Sequence, residues 1–319
     1  VMFAVEIILG NYAITTLVPL IMSSVMATIV GRWYFGAMPA FEIPHYSLGS
    51  AWEVGPYILL GIASGAVAVC FVKLLYFLED FADKIQIKDW IKTPLLLLLV
   101  GVMILYFPQV YGGGYDTITQ VLEGGMVWYM LLLIVPVKML ATSITLAAGG
   151  SGGVFAPSLF LGAVFGGLFG TLMQALFPGV VTSPGAYAVV GMSAMVAGTT
   201  HATLTAFLVI FEMTGDYKLI LPLMLCSILA SFIASVLKKD SIYTMKLTRR
   251  GVDLSQGMEV SIMQTTKVQD VMNRDMVVLN ESMGFNDLLQ KVLNSNAAYF
   301  YVKDDDGKYQ GSFNVHDVK

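Results

Sequence analysis

Apolar residues run in long blocks along this chain, with polar residues gathered in the gaps between them. Blocks long enough to cross a bilayer as helices, which takes roughly 20 residues, occupy positions 14–33, 57–78, 95–111, 127–148, 154–177 and 219–237. Two shorter blocks, 186–197 and 202–211, flank Gly198-Thr-Thr-His201 and predict a broken or re-entrant pair rather than one span. After Arg250 the pattern changes. Residues 251–264 are polar and glycine-interrupted, the make-up of a linker. Residues 265–319 predict a small soluble segment: a strand at 276–279, a helix at 285–294 and a strand at 298–302. There Asp304-Asp-Asp-Gly307 serves as a hairpin turn before a last strand at 309–315. The expected class is an all-α multi-span membrane protein with broken helices and a small α/β C-terminal segment.

Composition agrees with a bilayer setting: 56% of residues are hydrophobic and 13% charged, and the mean hydropathy is +0.74. The formal charge of −4 says less than where the charges fall. Lys84, Lys88 and Lys92 cluster in one gap, and Lys238, Lys239, Lys246, Arg249 and Arg250 follow the last block. Segments 36–54, 112–126 and 178–185 carry no Lys or Arg. The positive-inside rule then places the basic groups and the C-terminal tail in the cytoplasm. Arg32, near an outer end, is the exception, and its long side chain can snorkel. Cys70 and Cys226 both sit in apolar blocks and are expected as buried small hydrophobes, not as a disulfide or metal pair.

The most informative interruption is Gly149-Gly-Ser-Gly-Gly-Val-Phe-Ala-Pro157, between two long apolar blocks. Unpaired backbone groups are costly in hydrocarbon, so irregular chain at that depth survives only inside protein or beside a wet cavity. The glycines turn freely and leave the amides uncovered, and Pro157 fits the first turn of the following helix. Such an elbow presents free N–H groups and the positive end of a helix dipole, which together make an anion site out of backbone. Ser151 is open to two readings, anion donor or helix cap.

A repeat is also visible. Phe3-Ala-Val-Glu6, Gly10-Asn-Tyr12 and Leu17-Val-Pro19-Leu-Ile-Met-Ser-Ser24 parallel Val209-Ile-Phe-Glu212, Gly215-Asp-Tyr217 and Ile220-Leu-Pro222-Leu-Met-Leu-Cys-Ser227. The offset is about 205 residues. With the orientation above, the copies are expected to be inverted, as in secondary transporters. The partner of the Gly149 elbow would then precede Val1, which predicts that the chain is the later part of a longer one.

Gly153-Val-Phe-Ala-Pro157, with its glycine-rich lead and Ser158-Leu-Phe-Leu-Gly162 behind it, resembles the third anion-binding signature of the CLC chloride channel and transporter family. The resemblance runs from the first helix through Glu212-Met-Thr-Gly215 to Ser241-Ile-Tyr243, essentially residues 1–250. It implies a homodimer with one anion pathway per subunit. It also implies that Val154 and Phe155 offer their amides to the central anion, within a site spanning Gly153, Val154, Phe155, Ala156 and Pro157, and that the Tyr243 hydroxyl completes it. Two N–H donors and a phenol replace part of a halide's hydration without the grip of a full cation.

The family's first serine-bearing loop and its gating glutamate have no counterpart in this chain. Where family antiporters often carry adjacent glutamates, the chain reads Glu6-Ile7, and isoleucine cannot hold a proton. Ile7 pulls towards passive conduction. Glu6 remains open between a proton-pathway acid and a helix-end carboxylate bonded to amides. Lys138 needs a carboxylate or carbonyl partner, with a structural ion pair the expected one. Lys73 and His201 are expected at polar boundaries, without metal-ligand spacing.

Residues 265–319 resemble a CBS motif, expected chiefly as a dimerising module, with an adenine nucleotide as a family-level possibility. The spans hold no nucleophile–base pair and no metal cluster, so neither an enzyme nor a resident cofactor is expected, and nucleic acid is not a partner. The expected function is transport of chloride or a similar anion, exchanged for protons, the short loops and single-motif tail being of prokaryotic type. Passive channel is the mechanistic alternative, and a nucleotide-sensing regulatory membrane subunit the alternative of another class.

Overall fold

Lipid tails are as apolar as leucine, so helices in a bilayer associate through close backbone approach rather than through hydrophobic burial. Glycine placement therefore shapes this fold. The computed structural model describes residues 1–10, 12–36, 40–41, 51–85, 87–181, 183–249, 276–295, 297 and 299–314. It divides into two compact units, Val1–Met258 and Glu259–Lys319.

The first unit opens with a wide π-type turn at Ala4–Leu9, stopped by Gly10 in the left-handed region. Helices α1 (Ile14–Phe35), α2 (Val54–Lys84), α3 (Asp89–Tyr106), α4 (Tyr115–Leu122) and α5 (Trp128–Ala147) follow. Then come α6 (Phe155–Leu176), α7 (Pro184–Thr200), α8 (Thr203–Thr214), α9 (Ile220–Leu237) and the short α10 (Thr244–Arg249). Among the described residues six helical segments are long and apolar enough to cross a membrane: α1, α2, α3, α5, α6 and Tyr217–Leu237. These are the six predicted blocks.

Several boundaries differ from expectation, each for a physical reason. Helix α2 continues past residue 78 to Lys84, because Tyr76 and Ala82 keep a buried stripe through the charged stretch. Helix α3 begins at Asp89, where Asp89 and Lys92 pair across one turn at 3.0 Å. The lysine-free segment 112–126 holds the amphipathic α4, which buries Thr117, Ile118, Val121 and Leu122. The break between α7 and α8 is narrower than Gly198–His201: α7 runs through Gly198 to Thr200 and ends at His201, which takes a left-handed conformation with φ 58°. Gly198 serves close packing instead, since a Cβ there would crowd Ala68.

Helix α7 is the hub, with every residue from Gly185 to Thr200 buried. It crosses α6 where Gly162, Gly166 and Gly170, four residues apart, face Gly191, Tyr187 and Pro184. A Cβ at Gly162 would overlap the Gly191 carbonyl. Helix α9 meets α2 in the same manner, with Gly61 and Gly65 against Cys226 and Ala230. Two buried pairs tie this core together: Ser193 and Ser227 share a hydrogen bond, and the Cys226 thiol donates to Tyr57 O at 2.9 Å. Cys226 is buried as expected. Cys70 is exposed on the outer face of α2, because an all-apolar helix does not declare which side meets protein.

In the second unit, β1 (Val277–Asn280), α11 (Phe285–Leu293), β2 (Tyr299–Lys303) and β3 (Tyr309–Asn314) form a parallel β-α-β crossover followed by a hairpin, in sheet order β1-β2-β3. The Asp304–Gly307 turn is made by Gly307 at φ 82° and by Asp304, which accepts from the Lys308 amide at 2.8 Å and the Gln310 side chain at 2.8 Å. Those donors, the Lys308 amide first, hold the Asp304 carboxyl below the usual carboxylate range. The expected linker at 251–264 and the first residues of the tail segment, 265–275, lie outside the described residues.

Candidate functional site

The elbow begins with a helix ending. Gly149 adopts φ 81°, its N–H donates to Leu146 O, and the Gly150 N–H donates to Thr145 O, both at 3.0 Å. That pair of bonds closes α5 as a Schellman motif. Residues Ser151–Gly153 then cross to α6, which starts at Phe155 with Val154 as its N-cap and no side chain capping it. Pro157 is the third residue of the helix and lacks an N–H. The uncovered donors of the first turn are therefore the amides of Val154, Phe155 and Ala156. The Ser158 hydroxyl donates back to Val154 O at 2.7 Å and leaves those donors free. Ser151 is exposed.

Gly152, Gly153, Ala156 and Pro157 line a cavity of about 320 Å³ together with Thr142 and Lys138. Lys138 is 3% exposed and pairs with dipoles rather than an acid: its ammonium donates to Val110 O and Gly112 O, each at 2.8 Å, and lies 4.6 Å from the Phe160 ring centre. This corrects the expected ion pair. The turn after α3 supplies carbonyls whose orientation the sequence does not show, and no carboxylate bridges to Lys138 among the described residues.

Tyr243 stands just before α10, where Ser241 organises the entry: its hydroxyl accepts from the Tyr243 and Thr244 amides. Val154 and Tyr243, far apart in sequence, pack on one apolar cluster that includes Phe71, Tyr76, Leu161 and Ile242. Phe3 links Tyr243 to Phe155. Its ring meets Phe155 edge-on at 5.8 Å and Tyr243 edge-on at 6.1 Å. The structure thus gathers Val154, Phe155 and Tyr243 at one place, with Gly153, Ala156 and Pro157 continuing into the cavity wall. Phe3 escaped the sequence reading, since one phenylalanine in an apolar run carries no signal.

Glu6 is bonded at the start of a helix. Its carboxylate accepts from the Leu204 amide at 3.2 Å, the Thr205 amide at 2.6 Å and the Thr205 hydroxyl at 2.7 Å. It caps α8 from a distant part of the chain, where a negative charge suits the helix dipole. Ile7 beside it is half-buried. Lys73 is exposed on α2, His201 is the half-buried stop of α7, and among the described residues no His/Cys/Asp/Glu group could hold a metal ion. Away from the elbow, Asp80 hydrogen-bonds Arg249 and raises its guanidinium further above the ordinary range.

Helices stopped and restarted at glycine, six of them fit to span a bilayer, with an uncapped helix start facing a polar-edged cavity, define a multi-span membrane protein of the broken-helix kind. The model of the voltage gated chloride channel family matches residues 1–235, and the chain belongs to that family. It is 38% identical over 251 residues to a putative chloride channel protein, ClcB-like, of Ralstonia nicotianae, covering 79% of this chain and 58% of that one. It is 32% identical over 255 residues to the H(+)/Cl(−) exchange transporter ClcA of Vibrio campbellii, covering 78% and 54%. The crystal structure of a slow cyanobacterial Cl−/H+ antiporter superposes with a TM-score of 0.64 at 29% identity, covering 71% of this chain and 53% of that one. The chain spans somewhat over half the length of these relatives.

Proposed function

We propose that this protein carries chloride or a similar small anion across the membrane in exchange for protons. The observation that carries the reading is the uncapped start of α6, whose Val154 packs on the same apolar cluster as Tyr243 and whose Phe155 is linked to Tyr243 through the Phe3 ring. Two amides and a phenol hydroxyl hold a halide loosely enough to release it, which turnover requires. The named exchangers among its relatives support the coupling to protons. The partners in this reading are the anion, the proton and the lipid bilayer. A second copy of the chain forms the homodimer, and the two copies of the repeat lie inverted in the bilayer. The tail is cytoplasmic and CBS-like, a dimerising module for which an adenine nucleotide is the candidate ligand.

A passive channel is the second reading, and Ile7 is the residue that favours it. It puts an untitratable side chain beside Glu6, and Glu6 is committed to capping α8. Liposomes bearing the full-length protein separate the two. Under a chloride gradient with no pH gradient, an exchanger drives protons uphill and acidifies or alkalinises the lumen. Chloride flux with no proton movement would establish the channel, and no flux of either kind would leave a sensing subunit.

A further inference from the structure

The backbone that carries Tyr243 is pinned one residue earlier. Ile242 is 4% exposed and tied through both peptide groups: its N–H donates to Thr199 O at the end of α7 at 2.8 Å, and its carbonyl accepts from the Tyr76 hydroxyl on α2 at 2.6 Å. Thr199 continues the line towards the elbow. Its hydroxyl oxygen lies 3.2 Å from that of Ser158, which in turn donates to Val154 O. A buried row of hydrogen-bonding groups thus joins the two elements read as ligands, from Val154 through Ser158, Thr199 and Ile242 to Tyr76. Tyr76 is 2% exposed, and α10 braces it from outside: the Arg249 guanidinium lies 4.8 Å over its ring and grips Asp80, one turn along α2. Lys246 adds a pair with Glu79 at 3.2 Å.

We propose that Tyr76 is a positioning residue of the anion site, setting through Ile242 the distance between the Tyr243 hydroxyl and the Val154 and Phe155 amides. The inference rests on the reading of Tyr243 as an anion ligand. The buried bond from Tyr76 is the decisive element, because the charge pairs beside it are half exposed and exposed pairs contribute little. Removing the Tyr76 hydroxyl while keeping the ring frees the Ile242 carbonyl and lets the start of α10 shift. Tyr243 then meets the anion at the wrong distance, although its own side chain is intact.

The test is bromide titration calorimetry, with melting temperatures recorded alongside, on the full-length protein carrying Tyr76→Phe, Tyr243→Phe or both. Tyr76→Phe is expected to weaken bromide binding about fivefold, the scale of one buried hydrogen bond, and to cost nothing further once Tyr243→Phe is present. Arg249→Gln, which uncovers the ring and breaks the exposed pair with Asp80, gives a smaller loss that also vanishes with Tyr243→Phe. Unchanged binding in Tyr76→Phe overturns the proposal, as does an equal loss with and without Tyr243→Phe, since a merely structural role would be additive. Unchanged binding in Tyr243→Phe alone overturns the ligand reading itself, and the positioning role falls with it.

Discussion

Residues 3–24 and 209–227 carry the same ordered landmarks and make the same turn: Gly10 at φ 60°, ψ 17° and Gly215 at φ 67°, ψ 10° each end a helical stretch before a proline-bearing helix begins. Past the turn the copies part. Helix α9 buries Pro222, Leu223, Cys226, Ser227, Ala230 and Ala234, whereas α1 buries none of its residues against the described residues. Composition does not explain the difference, because α1 has its own small residues at Ser23, Ala27 and Gly31, four apart. What α9 meets is α2, whose Gly61 and Gly65 admit its backbone. Conformation at the glycine turn is thus a local property, while burial depends on the surface a second helix offers. The paired acids diverge likewise: Glu6 caps α8, and Glu212 is exposed.

The largest effect should come from bulk on the packed copy. Ala230→Leu must push α9 off Gly65, an overpacking expected to cost about 3 kcal/mol, whereas Ala27→Leu on α1, unburied among the described residues, should cost far less. Thermal unfolding in detergent measures both, and equal losses would dissolve the contrast. Next come the acids. Glu6→Ala takes a charged acceptor away from three donors and should cost about 2 kcal/mol, while the exposed Glu212→Ala should stay within about 0.5 kcal/mol. The same melting assay reads the pair, and a costly Glu212→Ala would mean that the copies share a capping role. The smallest concerns matched serines. Ser227→Ala leaves buried Ser193 without its partner, at about 1 kcal/mol, and Ser24→Ala should leave the midpoint where it was.

Much of the fold was legible in the sequence. Length and apolarity mark the six spans, and the glycine elbow, the hairpin at Asp304–Gly307 and the repeat all show as residue patterns. The inward faces of the helices were not legible, because lipid and protein interior select the same side chains. Cys70 and Cys226 look alike in sequence and end up exposed and buried. Charge misled in two places. The apolar block ends at residue 78, yet Glu79 and Asp80 extend α2 to reach α10, and Lys138, expected in an ion pair, found carbonyls. Within the candidate site, the glycine elbow showed as a residue pattern, and Tyr243 entered only through the family resemblance. Phe3 and Tyr76 were not readable, since their partners lie more than a hundred residues away along the chain.

The central claim is that bare amides at the start of α6 hold the transported ion. Crystals of the full-length protein grown in bromide and measured at the bromine absorption edge test it directly. An anomalous peak is expected within hydrogen-bond reach of the Val154 and Phe155 nitrogens and the Tyr243 hydroxyl. Bromide peaks elsewhere in the molecule, with none at that elbow, would contradict it.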